Sequence, residues 1–319
     1  MSIIEKAVNK LERAVSKPDA NGSVQTPKPS VARTAPVETP TPKQGAVKVQ
    51  STSAESAPSA FKNFVEIPVA RLSASGMVSP DSPRSTIAEE YRSIKRPLLM
   101  NINGQTAANV KHPNLIMVAS SLSGEGKTFS AINLAMSIAM EQDKSVLFID
   151  ADVSKASAGR MLGIDGHTPG LTDLLLDNSV QVKDVLVQTN ISNLRILPAG
   201  NVHERATELL ASENMKSLMQ ELAERYSDRV VVFDSPPLLL TTEASVLANL
   251  MGQILFVVAA EQTSQEAVLE GISKINSDAV VGMLLNKAKH KSISKYGYGY
   301  GYGYGYGSRV ESTSPEPAS

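Results

Sequence analysis

The sequence of 319 residues contains no cysteine and no tryptophan. Without cysteine, disulfides, thiol catalysis, iron-sulfur clusters and cysteine-ligated zinc are excluded. Basic and acidic side chains nearly balance, 31 against 32, and the formal net charge is −1, so no overall charge indicates nucleic acid as a partner. We therefore expect a cytoplasmic chain whose recognition surfaces are local.

Long apolar runs are also absent. The longest spans residues 254–260, seven residues against the roughly 20 that a membrane helix needs. Charged side chains at Glu5, Lys6 and Lys10 stand where a signal peptide would be apolar. We therefore expect neither a transmembrane segment nor export.

Four segments of different composition divide the chain. Residues 1–15 place apolar side chains at helical spacing and predict a short amphipathic helix that docks on a partner. Residues 16–80 are predicted to be a disordered linker, because seven prolines stand among Ser, Thr, Ala and Gln before residue 60. Residues 81–291 are predicted to fold, and residues 292–319 to form a flexible tail.

The predicted tail is dominated by tyrosine and glycine in strict alternation. Six of the eight tyrosines of the chain lie there, and each ring lacks an apolar neighbour in the sequence. Glycine at every second position adds backbone entropy, so we expect the segment to be mobile and every hydroxyl accessible. The tyrosines are Tyr296, Tyr298, Tyr300, Tyr302, Tyr304 and Tyr306.

The predicted folded domain alternates short β-branched runs with helical patterns. The runs lie at 115–119, 146–149, 194–197, 230–233, 254–258 and 280–285. They are apolar on both faces, which is typical of strands buried in a parallel sheet. Helical stretches at 128–141, 213–226 and 265–276 fit between them. The pattern predicts a doubly wound α/β fold with a mostly parallel sheet and ligands at the carboxyl ends of the strands.

A candidate phosphate loop follows the first run, with the sequence Ser121-Leu-Ser-Gly-Glu-Gly-Lys-Thr128. A glycine-rich turn from a strand into a helix offers backbone N–H groups at the positive end of the helix, where phosphate oxygens bind. Lys127 would reach the β- and γ-phosphates, and the Thr128 hydroxyl would ligate Mg²⁺. Ser121 replaces the first glycine of the strict motif, so an ordinary turn with a surface lysine is the alternative. The position between strand and helix favours the phosphate loop.

Three carboxylates follow two other apolar runs. Asp150 and Asp152 end one run, and Asp234 ends another. A single strand-end aspartate is most often a turn former or a helix cap. Three around one phosphate loop indicate a site for ATP and Mg²⁺, because this cation prefers hard oxygen ligands and retains several waters.

Together these motifs resemble the bacterial tyrosine kinases (BY-kinases), which carry a Walker A loop, an A′ motif of the form φφφD-x-D and a Walker B strand. The likeness covers roughly residues 85–291 and is strongest toward the tyrosine autokinases of exopolysaccharide gene clusters. The resemblance implies a fold of P-loop NTPase type. It also implies an ATP- and Mg²⁺-dependent protein-tyrosine kinase that autophosphorylates in trans on its tail tyrosines. It also implies a role in the regulation of exopolysaccharide synthesis or export.

The resemblance also assigns roles to individual residues. Lys127, Asp150 and Asp152 are implied to be catalytic, with Asp150 taking or orienting the attacking tyrosine hydroxyl. Thr128, Asp152 and Asp234 are implied to surround Mg²⁺. The implied nucleotide contacts are Ser123, Gly124, Glu125, Gly126, Lys127, Thr128, Phe129 and Asn286. The last of these matches the asparagine with which related ATPases read adenine.

Upstream, residues 89–95 resemble the E-x-x-R-x-x-R oligomerisation helix of the family. Glu89 and Arg92 match, and Lys95 replaces the second arginine, which removes the bidentate fork but keeps the charge. The resemblance implies a homo-oligomeric ring of unphosphorylated subunits. A second departure follows the A′ motif, where Ser154, followed by Lys155, stands at the position of the arginine that is common in the family.

Two protein partners are implied by the same resemblance. One is a separate membrane-embedded polysaccharide co-polymerase that activates the kinase and recruits it to the inner face of the cell membrane. The other is a protein-tyrosine phosphatase. No nucleic acid is expected as a partner, because the short basic run at 287–291 is typical of a solvated face.

Three other classes of protein share parts of this pattern. An ATPase of the partition or division-site type has the same fold and acts as a spatial switch without kinase activity. It carries a lysine early in its phosphate loop, where this chain has Leu122 and Ser123. An iron-sulfur carrier ATPase requires cysteine. A defunct ATPase with an adhesive tail would not need Lys127, Thr128 and three carboxylates.

Overall fold

The structure, a computed structural model, describes residues 63–106, 110–225, 229–275 and 278–289. The strands within these ranges belong to one sheet. In chain order they are β1 (Asn63–Val65), β2 (Leu115–Ser120), β3 (Ser145–Asp150), β4 (Val187–Thr189), β5 (Leu194–Leu197), β6 (Arg229–Asp234), β7 (Gln253–Ala259) and β8 (Val280–Asn286). The predicted N-terminal helix, most of the predicted linker and the six tail tyrosines lie outside the described residues.

Helices connect these strands. They are α1 (Val69–Ala74), α2 (Thr86–Ile102), α3 (Lys127–Ala139), α4 (Ser157–Met161), α5 (Leu171–Leu176), α6 (Val182–Val185), α7 (Ala206–Leu209), α8 (Glu213–Arg225), α9 (Thr242–Ala248) and α10 (Gln265–Ser273). The three helices expected from the sequence are α3, α8 and α10, which begin and end within a few residues of the predicted limits. Among the described residues, every helix is too short or too polar to cross a membrane.

The strands are ordered β1-β4-β5-β3-β6-β2-β7-β8 across the sheet. Neighbouring strands are parallel except for β4 and β5, which are antiparallel. This arrangement confirms the predicted doubly wound, mostly parallel fold. The register places Asp234 of β6 opposite Asp150 of β3 on one side and opposite Val118 of β2 on the other. The carboxyl ends of these three strands therefore meet at one edge of the sheet.

The central strands are apolar throughout because helices cover both faces of the sheet. Along β2, Leu115 and Met117 belong to one hydrophobic cluster, whereas Ile116 and Val118 belong to the cluster on the opposite face. Such alternation follows from the two-residue period of a strand. Both faces of β2 are fully buried, which accounts for its uninterrupted apolar sequence.

The folded region begins earlier than the sequence predicts. Residues 63–80 were expected to belong to the linker, but β1 pairs in parallel with β4, and α1 follows it. Ile67, Leu72 and Met77 are buried in the cluster that also contains α3. These side chains lie five residues apart, which matches neither the helical nor the strand period. They become core residues only through contact with the rest of the domain.

Asn133 joins this early segment to α3. Its side chain is fully buried, and its Oδ1 accepts a hydrogen bond from the backbone N–H of Val78 at 2.6 Å. Its Nδ2 donates to the carbonyl oxygen of Phe129 at 2.8 Å. The Asn133 amide thus provides a hydrogen-bond acceptor for the N–H of Val78, which does not pair with a strand.

We predict that Asn133→Ala lowers the free energy of unfolding by about 1–3 kcal/mol, because the N–H of Val78 loses its acceptor in a buried position. Urea denaturation of the two proteins measures the difference. Lys183→Ala, at an exposed position of α6, serves as the control and should change the value by less than about 0.5 kcal/mol. Equal stability of all three proteins would contradict the role given to Asn133.

Candidate active site

The candidate phosphate loop connects β2 to α3, as the sequence predicts. Gly124 and Gly126 have φ values of +87° and +99°, a region that strongly favours glycine. Gly126 is the N-terminal cap of α3, a helix of 13 residues. The N–H groups of the first turn of a helix have no partner within the helix, so the loop ends at a surface suited to an anion.

The Glu125 side chain stabilises the loop through hydrogen bonds. It is 4% exposed, and its Oε2 accepts a hydrogen bond from the backbone N–H of Leu122 at 2.7 Å. Its Oε1 accepts a hydrogen bond from the hydroxyl of Thr263, which lies in the connection after β7. The carboxylate therefore ties the start of the loop to its middle and to a neighbouring strand end.

Two residues at the end of β8 hold the loop from outside. Asn286 Nδ2 donates to the carbonyl oxygen of Glu125 at 2.9 Å, and Lys287 Nζ donates to that of Gly124 at 2.7 Å. A Cβ atom at position 126 would lie 2.0 Å from Asn286 Nδ2, so any larger residue there would displace the Asn286 side chain. Asn286 thus supports the loop in the structure, and its predicted contact with adenine stays a prediction.

Lys127 forms a buried ion pair with the A′ motif. Its Nζ lies 2.9 Å from Oδ2 of Asp152, and the two side chains are only 7% and 2% exposed. The pair joins the start of α3 to the turn after β3, two residues beyond the end of the strand. A lysine ammonium has three donors, so the contact with Asp152 leaves donors for phosphate oxygens.

Asp150 and Asp234 are buried beside each other at the ends of β3 and β6. The pKa of Asp150 is raised to about 7, chiefly by burial and also by the charge of Asp152. The N–H of Gly159 opposes this shift by donating to Oδ2 at 3.2 Å. Burial also raises the pKa of Asp234 to about 8, with a further contribution from the charge of Asp150. Both groups therefore exchange protons near neutral pH.

The oxygens of these two carboxyls indicate how a cation would fit. Asp150 Oδ1 and both carboxyl oxygens of Asp234 are buried without a hydrogen-bond partner among the described residues. Buried polar atoms normally have partners, and Mg²⁺ with its waters is suited to oxygens of this kind. In the described part of the chain, no three His, Asp or Glu side chains are arranged to hold a metal alone. The donor set suits a cation that shares its shell with water and phosphate.

The remaining predicted nucleotide contacts differ in their surroundings. The Thr128 hydroxyl lies 3.4 Å from that of Ser157, the first residue of α4, and Ser123 accepts a hydrogen bond from the ammonium of Lys155. The Phe129 side chain packs against the hydrophobic core. The structure brings the loop, Lys127 and the three carboxylates together, and their functional roles remain predictions.

The predicted oligomerisation residues lie on α2, but not in equivalent environments. Glu89 and Arg92 are partly exposed and form an ion pair with each other. Lys95 differs from the expectation, because its side chain is only 8% exposed and ion-pairs with Glu141. Its Nζ also donates to the carbonyl oxygen of Ser137 at 2.6 Å, in the last turn of α3. Lys95 therefore caps α3 internally, whereas Glu89 and Arg92 remain candidates for a subunit contact.

Sequence reasoning did not identify several residues that support the site. Thr263, Ser157 and Lys287 contact the loop or the start of α3 but belong to no motif. Lys287 carried the strongest signal, because it directly follows Asn286 at a strand end. The other two are brought to the site by turns whose course the sequence does not reveal.

Comparisons with known proteins agree with this geometry. The domain family described as AAA domain matches residues 114–281. The tyrosine-protein kinase YwqD of Bacillus subtilis (strain 168) is 30% identical over 223 residues, which cover 69% of this chain and 90% of that protein. The succinoglycan biosynthesis transport protein ExoP of Rhizobium meliloti (strain 1021) is 33% identical over 236 residues. That match covers 72% of this chain and 28% of ExoP.

A solved structure also has the same fold. The crystal structure of the VpsO kinase domain is 31% identical to this chain, with a TM-score of 0.51. The alignment covers 64% of this chain and all of that domain. The similarity therefore extends over a complete kinase domain.

The buried carboxyls predict a pH-dependent stability for the metal-free protein. Because their pKa values are raised above the value of about 3.9 expected in the unfolded chain, the folded protein binds more protons between about pH 4 and pH 8. Its free energy of unfolding should therefore fall as the pH rises through this window. Urea denaturation in EDTA at pH 5, 6, 7 and 8 measures the slope.

Asp234→Asn should flatten this slope and raise stability at pH 8, because the charge no longer has to be buried. Asp143→Asn, at a position that is 78% exposed, is the matched control and should leave the slope unchanged. An identical slope in Asp234→Asn and the unmodified protein would show that Asp234 does not titrate as described.

Proposed function

The chain belongs to the bacterial tyrosine-protein kinases, and from this membership we propose that it phosphorylates the tyrosines of its own C-terminal segment with ATP. One observation carries the proposal. The phosphate loop, Lys127 and three strand-end carboxylates meet at one edge of the sheet, and the strand that leads to the tyrosines ends against that loop. We further propose that the reaction regulates exopolysaccharide synthesis or export.

The reaction transfers the γ-phosphoryl group of ATP to a phenol. A bond forms between the tyrosine oxygen and phosphorus, the bond from phosphorus to the β–γ bridging oxygen breaks, and ADP leaves. The loop N–H groups and Lys127 bind the phosphates and stabilise charge on the transferred group. Asp150 orients the tyrosine hydroxyl and receives its proton. Its pKa of about 7 suits a group that accepts a proton near neutral pH.

Thr128, Asp152 and Asp234 are the residues that would hold Mg²⁺, directly or through water. When bound, the cation neutralises charge on the phosphate oxygens. The unpartnered oxygens of Asp234 support this assignment. Asp152 has a second role through its ion pair, because it keeps the Lys127 ammonium at the strand end that carries the metal ligands.

The position of β8 supports the tail as the acceptor. Tyr296 follows Asn286 by ten residues, a distance of at most roughly 35 Å in an extended chain. Tyrosines farther along the tail reach still more widely, so a neighbouring subunit lies within their range. We propose that the transfer occurs in trans within a ring of subunits.

Phosphorylation then provides a reason for the ring to separate. Each phosphotyrosine adds about −1.5 to −2 charges, so six modified residues in one tail would add on the order of −9 to −12. Repulsion between tails of this charge opposes assembly. A protein-tyrosine phosphatase would restore the assembling form.

A membrane partner is proposed as the activator of the kinase. Among the similar proteins, ExoP is a transport protein of which this chain spans 28%, whereas the chain spans 90% of YwqD. This difference supports two arrangements in the family, with the kinase either part of a longer transport protein or separate from it. We propose that a separate membrane-embedded polysaccharide co-polymerase activates this kinase and recruits it to the inner face of the cell membrane.

Purified protein with Mg²⁺ and ATP should accumulate phosphotyrosine at positions 296–306, as measured by mass spectrometry. Lys127→Met should reduce the rate about 100-fold or more, because a charged donor to the transferred group is lost. Lys183→Met, in which an exposed lysine of α6 is replaced, should retain full activity. ATP hydrolysis without phosphotyrosine would instead favour the spatial-switch ATPases.

Transfer in trans has its own test. A variant that ends before Tyr296 retains the catalytic residues, and full-length Lys127→Met retains the acceptor tyrosines. Mixed with ATP, the pair should yield phosphotyrosine on the Lys127→Met chain. Transfer in trans would be contradicted if phosphotyrosine formed only in the full-length protein without substitutions, at a rate per molecule that does not depend on protein concentration.

Assembly should depend on both phosphorylation and α2. Sedimentation velocity is expected to show a larger species before treatment with ATP than after it, and Arg92→Glu should give the smaller species from the outset. Lys183→Glu is the control for a charge reversal elsewhere on the surface. The same sedimentation coefficient under all conditions would contradict the proposed ring.

A further inference from the structure

The turn after Asp152 is held in an unusual conformation. The N–H groups of Lys155 and Ala156 both donate to the carbonyl oxygen of Asp152, at 3.0 and 2.7 Å. Ala156 has a φ of +45°, which is uncommon for a residue with a Cβ atom. Such conformations persist only where the surrounding contacts enforce them, and they occur most often at functional sites. The side chain of Lys155 is the part of this turn that reaches the phosphate loop.

The ammonium of Lys155 donates to the hydroxyl of Ser123, the third residue of the loop. Lys155 is exposed, in contrast to buried Lys127. No carboxylate among the described residues forms an ion pair with it, and its contact on the loop is a neutral hydroxyl. Besides Lys287, which donates to a loop carbonyl, the phosphate loop has one lysine at the start of its own helix and one from the turn after β3.

The direction of approach indicates which phosphate the second lysine would meet. Lys155 enters from the strand end that carries Asp150, the residue proposed to face the acceptor hydroxyl. The phosphoryl group between the acceptor and the rest of the nucleotide is the terminal one. The carboxylate of Asp152 already offsets part of the charge of Lys127. A second ammonium beside the terminal phosphate would therefore increase the attraction for the additional negative charge that ATP carries relative to ADP.

On these grounds, and resting on the proposed kinase function, we propose that Lys155 is a second cationic residue for the γ-phosphoryl group. It binds the terminal phosphate of ATP and stabilises charge on that group during transfer. Its position also accounts for how the chain tolerates Ser154 after the A′ motif. The positive charge is supplied one residue later, by an ammonium that contacts the loop at Ser123.

The affinity of the full-length protein for ATP and for ADP tests this assignment. With Mg²⁺ present, titration calorimetry should show that Lys155→Met weakens ATP binding about tenfold or more. ADP binding should change less than twofold. Lys155→Arg should restore most of the preference for ATP. Lys289→Met is the matched control, because Lys289 is exposed and pairs with Glu261 rather than with the loop.

A double variant separates binding of the phosphate from support of the loop. If Lys155 acted only by holding Ser123, Lys155→Met would have no further effect in a Ser123→Ala background. Direct contact with the phosphate predicts that Lys155→Met still weakens ATP binding selectively in that background. Equal weakening of ATP and ADP, or no effect in the double variant, would overturn the proposal.

A phosphotyrosine assay on the same proteins distinguishes this inference from the proposed function. Lys155→Met is expected to slow phosphotyrosine formation at least tenfold, whereas Lys289→Met should not. If the unmodified protein formed no phosphotyrosine while Lys155→Met still lost its preference for ATP, the kinase function would fail and the phosphate contact would stand. Full activity of Lys155→Met would contradict the catalytic part of the proposal.

Discussion

The buried ion pair between Lys127 and Asp152 is the contact on which the geometry of the site depends. It joins the first residue of α3 to the turn after β3, and both side chains are almost completely removed from solvent. Loss of one partner would leave an uncompensated buried charge, at a cost of about 3–5 kcal/mol. The same pair places a lysine ammonium beside the carboxyls that are suited to a cation, so stability and function share one contact.

Around this pair, the phosphate loop is held from three directions. Glu125 connects the loop to the end of β7, Asn286 and Lys287 connect it to the end of β8, and Lys155 reaches it from the turn after β3. Most of these contacts involve loop carbonyls or side chains, which leaves backbone N–H groups free to face an anion. A loop so constrained binds phosphate without a large loss of conformational entropy.

Much of the fold could be predicted from the chain because its central strands are apolar on both faces. That pattern belongs to parallel sheets covered on both sides, and β2, β3 and β6 appear where the runs of Val, Ile, Leu and Phe predict them. The short strands β1 and β4 were not predicted. They contain three residues each, and their pairing depends on the neighbouring chain rather than on a local pattern.

By itself, the sequence determined the six longer strands, the helices α3, α8 and α10 between them, the phosphate loop and the carboxylates at the strand ends, since each is encoded by residues that are close along the chain. Only the tertiary structure decided which charges meet. It buried Lys95 against α3, paired Lys127 with Asp152 and brought Lys155 to Ser123. Such contacts join residues far apart in the chain, and long flexible side chains reach whichever partner the packed backbone places within a few ångströms.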